Sequence, residues 1–198
     1  IIEEVIVQSA ILKSEVSTIA DPLHVISEAE LSSNPSQSLG ETIDSLLGVA
    51  SADYGAAVGQ PIIRGMSGTR VRVLNNGMVI RDVTSLGADH VNEVDFNHAQ
   101  QVEIIKGPAS LLYTNGVIGG IVNVVDDTIA RTDVEGVDIS LGLETQSVNE
   151  GDAQTASIAT NIGGFNVFAA YSDSDLENYD VPDGAVIHEE EEHDDEDE

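Results

Sequence analysis

The chain has 198 residues with 36 acidic and 7 basic side chains, a formal charge of −29, so it lacks the basic face that the phosphate backbone of a nucleic acid requires. It contains no Cys, which removes disulfides and thiolate metal sites and leaves the redox compartment open. No apolar run reaches the roughly 18 residues of a membrane helix, and no charged leader precedes Ile1, which leaves a cytosolic chain or a processed or truncated one.

Glu4-Val5-Ile6-Val7 opens the chain as a short extended stretch. Leu23 to Ile26 reads as a strand running into a helix, where Ser27 and Glu30 have capping-box spacing. The same spacing recurs at Ser38 and Glu41, ahead of Ile43, Leu46 and Leu47, with Gly48 as the stop. Arg70 to Ile80 is a hairpin pattern, with RVRVL and MVI around Asn75-Asn76-Gly77, and Asn-Gly favours a type I′ turn. Val102 to Ile105 and Ile118 to Val125 are further strands with Gly-rich turns between them. The body up to about Asp126 therefore reads as mixed α/β.

From Gly136 the texture changes. Val137, Ile139, Leu141 and Leu143 alternate strictly with Asp138, Ser140, Gly142 and Glu144. The pattern repeats at Ala156, Ile158, Thr160 and Ile162, and at Phe165, Val167, Ala169 and Tyr171, with a Gly163-Gly164 turn between the last two. Antiparallel strands of this kind form either a half-solvated sheet or the wall of a transmembrane barrel. Three strands cannot close a barrel, so the barrel reading treats the chain as part of a larger protein. It predicts that Val137, Ile139, Leu141, Ile158, Ile162, Phe165 and Val167 stand exposed when lipid and the other strands are absent.

PIIRGMSGTRVRVLNNGMVI and QQVEIIKGPASLLYTNGVIGGIVNVVDD resemble the plug domain of TonB-dependent outer-membrane receptors. The resemblance implies an α/β (α+β) plug with a mixed central sheet, followed by the first antiparallel strands of a truncated transmembrane β-barrel. It divides the chain into a coupling segment (1–10), the plug (11–130) and the start of the barrel (131–198). Arg64-Gly65 corresponds to an Arg-Gly strand, and Arg70, Gly107, Pro108, Gly116, Gly119 and Gly120 belong to the plug motifs. Pro108 suits the start of a short helix, and the glycines allow tight turns and close backbone approach. These residues identify the fold and bind nothing themselves. Arg64, Arg70 and Arg72 are expected to pair with carboxylates of the barrel wall and the plug. Glu3, Glu4, Val5, Ile6 and Val7 resemble a TonB box, the strand that pairs with the periplasmic coupling protein TonB.

DYGAAVGQPIIRG and SLGADHVNEVD are similar to the zinc-uptake receptors of the ZnuD type. That similarity makes Asp89 and His90 metal ligands on an outward plug loop, completed by barrel residues outside this chain. Carboxylate and imidazole suit tetrahedral zinc. Glu93 and Asp95 would deepen the negative field beside the pair. His24 reads as a packed strand residue and His98 as a capping or surface residue. Counting strands from a periplasmic plug terminus places residues 173–198, with 14 acids and no base, in an extracellular loop. Its HEEEEHDDEDE run, with His188 and His193, then acts as a weak multi-site cation collector.

The implied function is energised import of zinc or another divalent metal across the bacterial outer membrane, with the plug gating the barrel. TonB, outer-membrane lipid and the metal are the implied partners. Nucleic acid is excluded, and neither an intrinsic cofactor nor an enzymatic activity is expected. The alternatives are import of an iron–siderophore complex or haem, and, from another class, a soluble acidic cation-binding module.

Overall fold

The computed structural model describes residues 23–34, 36, 38–55, 57–81, 87, 89–90, 94, 98–128, 130, 132–147 and 149–177. The chain runs through β1 (Leu23–Ser27), α1 (Glu28–Ser33), α2 (Leu39–Ile43), β2 (Val49–Asp53), β3 (Gly59–Ile63), β4 (Val71–Asn75), β5 (Met78–Val79), β6 (Ala99–Lys106), β7 (Gly120–Asp126), β8 (Val137–Gln146), β9 (Gly151–Ile162) and β10 (Phe165–Asp175). Short 3₁₀ turns occupy Gly68–Arg70 and Gly107–Leu112.

The first body is a plug built on a five-stranded sheet of order β1-β6-β7-β4-β5. β4 and β7 pair in parallel and the other neighbours antiparallel, so the sheet is mixed. Both faces are covered, and all seven residues of β7 are buried. On one face Val102, Ile104, Val122 and Val124 pack with Leu39, Ile43, Val49 and Ile63. On the other, Ile105 and Ile121 pack with Leu74 and Val117. The expected hairpin is present, with Asn76 and Gly77 both at positive φ (50° and 79°), as a type I′ turn requires.

Both helix starts follow the cap signals. The Glu30 carboxylate accepts from the Ser27 backbone N–H at 2.9 Å, and Ser38 Oγ accepts from the Glu41 N–H at 3.2 Å. The second helix, however, stops at Ile43 rather than continuing to Gly48. Lys106 Nζ donates to the Leu47 carbonyl at 2.6 Å, and the Arg64 N–H donates to the Gly48 carbonyl at 2.8 Å. These tertiary bonds hold the 44–48 backbone in turns, and Leu47 is left exposed. α2 then lies backbone to backbone on the β2–β3 ribbon. A Cβ on Gly59 would collide with the Ser38 side chain, and one on Gly40 with Ser51 and the Gly59 carbonyl.

Arg64-Gly65 is a turn and not a strand. β3 ends at Ile63, and Arg64 and Gly65 both take positive φ (52° and 73°). Ile63 and Met66 exchange backbone hydrogen bonds of 2.9 and 3.0 Å across them.

The second body is a three-stranded antiparallel sheet of order β10-β9-β8, with strands of 10, 12 and 11 residues. Its register aligns the apolar sets. Ile139 faces Ile158, which faces Ala169, and Leu141 faces Ala156, which faces Tyr171. The expected exposure is found across this face, for example at Val137 (63%), Leu141 (79%) and Phe165 (76%). Burying one such side chain contributes about 1.5–3 kcal/mol. Seven of them match the entire stability of an ordinary domain, roughly 5–15 kcal/mol, so this face is built for an apolar environment. Phe165 and Tyr171 bound the band, about 20 Å apart along the strand at roughly 3.3 Å per residue. Beyond Tyr171 the same face turns polar on β9 and β10, with Gln154 opposite Asp173 and Asp152 opposite Asp175, while Leu143 of β8 keeps it apolar opposite Gln154. Those pairs carry β10 to Asp175, so residues 173–175 of the expected extracellular loop belong to the strand. The β8–β9 connection is confined to residues 147–150, because Gly151 and Asp152 already pair with Gln146 and Thr145.

Candidate functional site

Asp89 and His90 sit on the loop between β5 and β6, with His90 48% and Asp89 69% exposed, and Asp89 Oδ1 lies 3.8 Å from His90 Nε2. Two donors on one tetrahedral zinc, each about 2.0–2.1 Å from the ion, lie about 3.3 Å apart. A small side-chain adjustment would therefore let both groups ligate one ion. Among the described residues, no cluster of three or more His, Cys, Asp or Glu forms a metal site. The described part of the loop thus brings together one carboxylate and one imidazole.

What holds the loop was not visible in the sequence. Gln60, 4% exposed on β3, donates its side-chain amide to the Gly87 carbonyl at 2.8 Å and the His90 carbonyl at 3.3 Å. A Cβ on Gly87 would stand 2.5 Å from Asp89 Oδ1 and 3.5 Å from the His90 ring, so both side chains fold back over bare backbone. Gln60 and Gly87 are separated by 27 positions, and no spacing rule links them. Glu93, Asp95, His188, His193 and the Glu3, Glu4, Val5, Ile6 and Val7 stretch lie outside the described residues.

His24 pairs with Ile104 in the plug sheet, half-buried as expected. His98 directly precedes β6 and borders a cleft of about 530 Å³ between the plug and the β8–β10 sheet. Its Nε2 is buried there without a hydrogen-bond partner among the described residues. The sheet turns its small and polar side toward this cleft, through Ser140, Gly142, Thr155 and Ser157.

The plug-motif residues serve packing and turns. Gly107 and Gly116 take φ of 76°, and Gly107, followed by Pro108, starts the 3₁₀ turn. The Arg64 guanidinium lies against Gly107, where a Cβ would be 2.6 Å from Nη1. Gly120 packs under the Ile105 carbonyl, and Gly119 against Met66 and Val71. Among the described residues, Arg64, Arg70 and Arg72 form no ion pair with a carboxylate; the barrel wall expected to pair with them is largely outside this chain. Arg64 and Arg70 are solvent-exposed and Arg72 is half-buried on the plug surface.

A buried polar chain ties the sheet together. Glu103, fully buried, accepts from Gln101 at 2.8 Å and from Asn123 at 2.9 Å. Asn123 Oδ1 accepts from the Gly77 N–H of the hairpin turn at 2.8 Å. At the end of β7, burial pushes the Asp126 carboxyl pKa up. Hydrogen bonds from Asn76 and Thr128 outweigh this, and the net shift is below the ordinary 3.8. Glu103 carried a sequence signal, as an acid inside the apolar strand VEII.

The family profile described as TonB-dependent Receptor Plug Domain matches residues 15–121. The vitamin B12 transporter BtuB of Vibrio vulnificus is 26% identical over 161 residues, which cover 80% of this chain and 26% of that protein. The chain thus spans about a quarter of the length of this curated relative. Among solved structures, the siderophore receptor PirA from Acinetobacter baumannii superposes with a TM-score of 0.58 at 18% identity, covering 76% of this chain and 24% of its own. The copper transporter OprC superposes with a TM-score of 0.58 at 21% identity, covering 70% of this chain and 21% of its own. At these identities the superpositions establish the fold.

Proposed function

This chain belongs to the TonB-dependent receptor plug family, and on that footing we propose that it is the plug and first barrel strands of an outer-membrane receptor importing zinc or another divalent metal. The observation that carries the metal reading is the approach of Asp89 Oδ1 to His90 Nε2 at 3.8 Å. Imidazole with carboxylate suits zinc and copper and is a poor match for calcium, which takes oxygen ligands. The similar proteins are named for vitamin B12, siderophores and copper, so the class accommodates both chelates and metals.

In this reading β8 runs outward, β9 inward to the Gly163-Gly164 turn, and β10 outward into the acidic loop. The apolar face meets lipid and the polar face meets the plug. TonB pairs with the 3–7 stretch by adding it to a sheet edge, and the pull rearranges the plug. His188 and His193, within their acidic run, serve as a weak collector of cations. No catalytic role is proposed.

A second reading, import of an iron–siderophore complex, is favoured by Tyr54, which is 65% exposed at the tip of the β2–β3 ribbon and available for aromatic contact. Uptake of radiolabelled zinc and of ferric siderophore by cells with and without the full-length receptor separates the two. The metal reading expects receptor-dependent uptake of zinc alone. Receptor-dependent uptake of ferric siderophore without zinc would replace it.

A further inference from the structure

We infer that Gln60 is a positioning residue for the Asp89–His90 pair, its buried amide holding the loop backbone so that carboxylate and imidazole converge over Gly87. The inference rests on the metal reading above and adds what makes that site competent.

The argument starts from where Gln60 stands. It lies on β3, paired with Ala52 of β2, in a ribbon clamped beneath α2. Its side chain is 4% exposed, so it has little freedom of its own. An amide nitrogen has two N–H donors, and Gln60 directs them to two carbonyls of one loop, those of Gly87 and His90. This fixes the loop at the residue before the pair's turn and at the second ligand itself. The empty side of Gly87 then receives both side chains. Ligands set in advance on a rigid support bind more tightly than ligands ordered on binding, because the ordering cost is removed. Two donors alone hold an ion weakly, so this pair depends strongly on such support.

Gln60→Met keeps the volume and removes both donors. Gly87→Ala leaves the clasp and displaces Asp89 Oδ1 by a single methyl group, which guards against a folding defect in the first variant. His90→Ala tests the underlying metal reading, and Gln101→Met, on β6 away from the loop, is the control for general loss of a plug hydrogen bond. In the full-length receptor, zinc affinity is measured by calorimetry, ligand geometry by the visible spectrum of bound Co²⁺, and loop order by hydrogen exchange over residues 87–90 without metal. Gln60→Met should weaken zinc about tenfold, alter the Co²⁺ spectrum and speed exchange in the loop. Gly87→Ala should weaken zinc and alter the spectrum without changing exchange at distant plug amides, and Gln101→Met should leave the spectrum intact. If His90→Ala weakens zinc while both Gln60→Met and Gly87→Ala keep wild-type affinity and spectrum, the positioning role is overturned and the metal reading stands. If His90→Ala leaves zinc binding untouched, the metal reading falls and the inference falls with it.

Discussion

The Glu103 carboxylate and the Asn123 amide meet at 2.9 Å between β6 and β7, both residues completely buried. A carboxylate in such a place is tolerated only with its hydrogen bonds made. Glu103→Ala leaves the buried Asn123 amide N–H without its acceptor and opens a cavity in the central strands. The full chain should lose about 2–4 kcal/mol of stability, the cost of unsatisfied buried groups partnered to a charge. A urea unfolding curve checks this, and a loss below about 1 kcal/mol would mean that the network does not hold the sheet.

Asp126 predicts a pH dependence with a definite sign. Its folded pKa is depressed below 3.8, so the unfolded chain binds the proton more readily. The stabilisation is complete above the unfolded value and disappears as pH falls through the lower folded value. Unfolding midpoints of the wild type and of Asp126→Asn should differ at pH 6 and converge toward pH 2. A gap that widens on acidification would contradict the assignment.

The exposed face of β8–β10 predicts depth-dependent tolerance of charge. Ile158 sits mid-band on the central strand, and Asp173 lies past Tyr171 where the face turns polar. In the full-length receptor folded into lipid vesicles, Ile158→Arg should cost about 2–4 kcal/mol and Asp173→Arg about 0–1 kcal/mol. Equal costs at the two positions would show that this face does not meet lipid.

Much of the fold was legible because local chemistry and tertiary demand agree. Asn76-Gly77 tolerates two positive φ angles where the turn needs them, and a one-residue slip in the alternation from Val137 to Tyr171 would move the apolar residues to the opposite face. Legibility failed where distant groups decide. Arg64 adopts a left-handed conformation that its residue type does not advertise, because the 63–66 turn and the Gly48 carbonyl hold it there. α2 gives way to turns ahead of Gly48, and Lys106, 59 positions beyond Leu47, holds the Leu47 carbonyl of that turn segment. At the candidate site, Asp89-His90 came from the family resemblance, and their chemistry agrees with it. Gln60 could not be read from the sequence, since it acts on backbone carbonyls that every residue possesses.

Energy coupling gives a prediction separable from binding. Deleting Glu3 to Val7 from the full-length receptor should abolish energised zinc uptake and leave surface binding of the metal unchanged, since that strand is assigned only to TonB. Uptake and binding measured on the same cells check it. Uptake that survives the deletion would place the coupling strand elsewhere.

Calorimetric titration of zinc into the full-length receptor and its His90→Ala variant is the most direct measurement of the central claim. Removing one of the two plug donors should weaken the tight phase at least about tenfold, equivalent to roughly 1.4 kcal/mol, while the weak, salt-sensitive phase assigned to the acidic loop persists. A tight phase unchanged in His90→Ala would show that the metal is bound elsewhere and contradict the account.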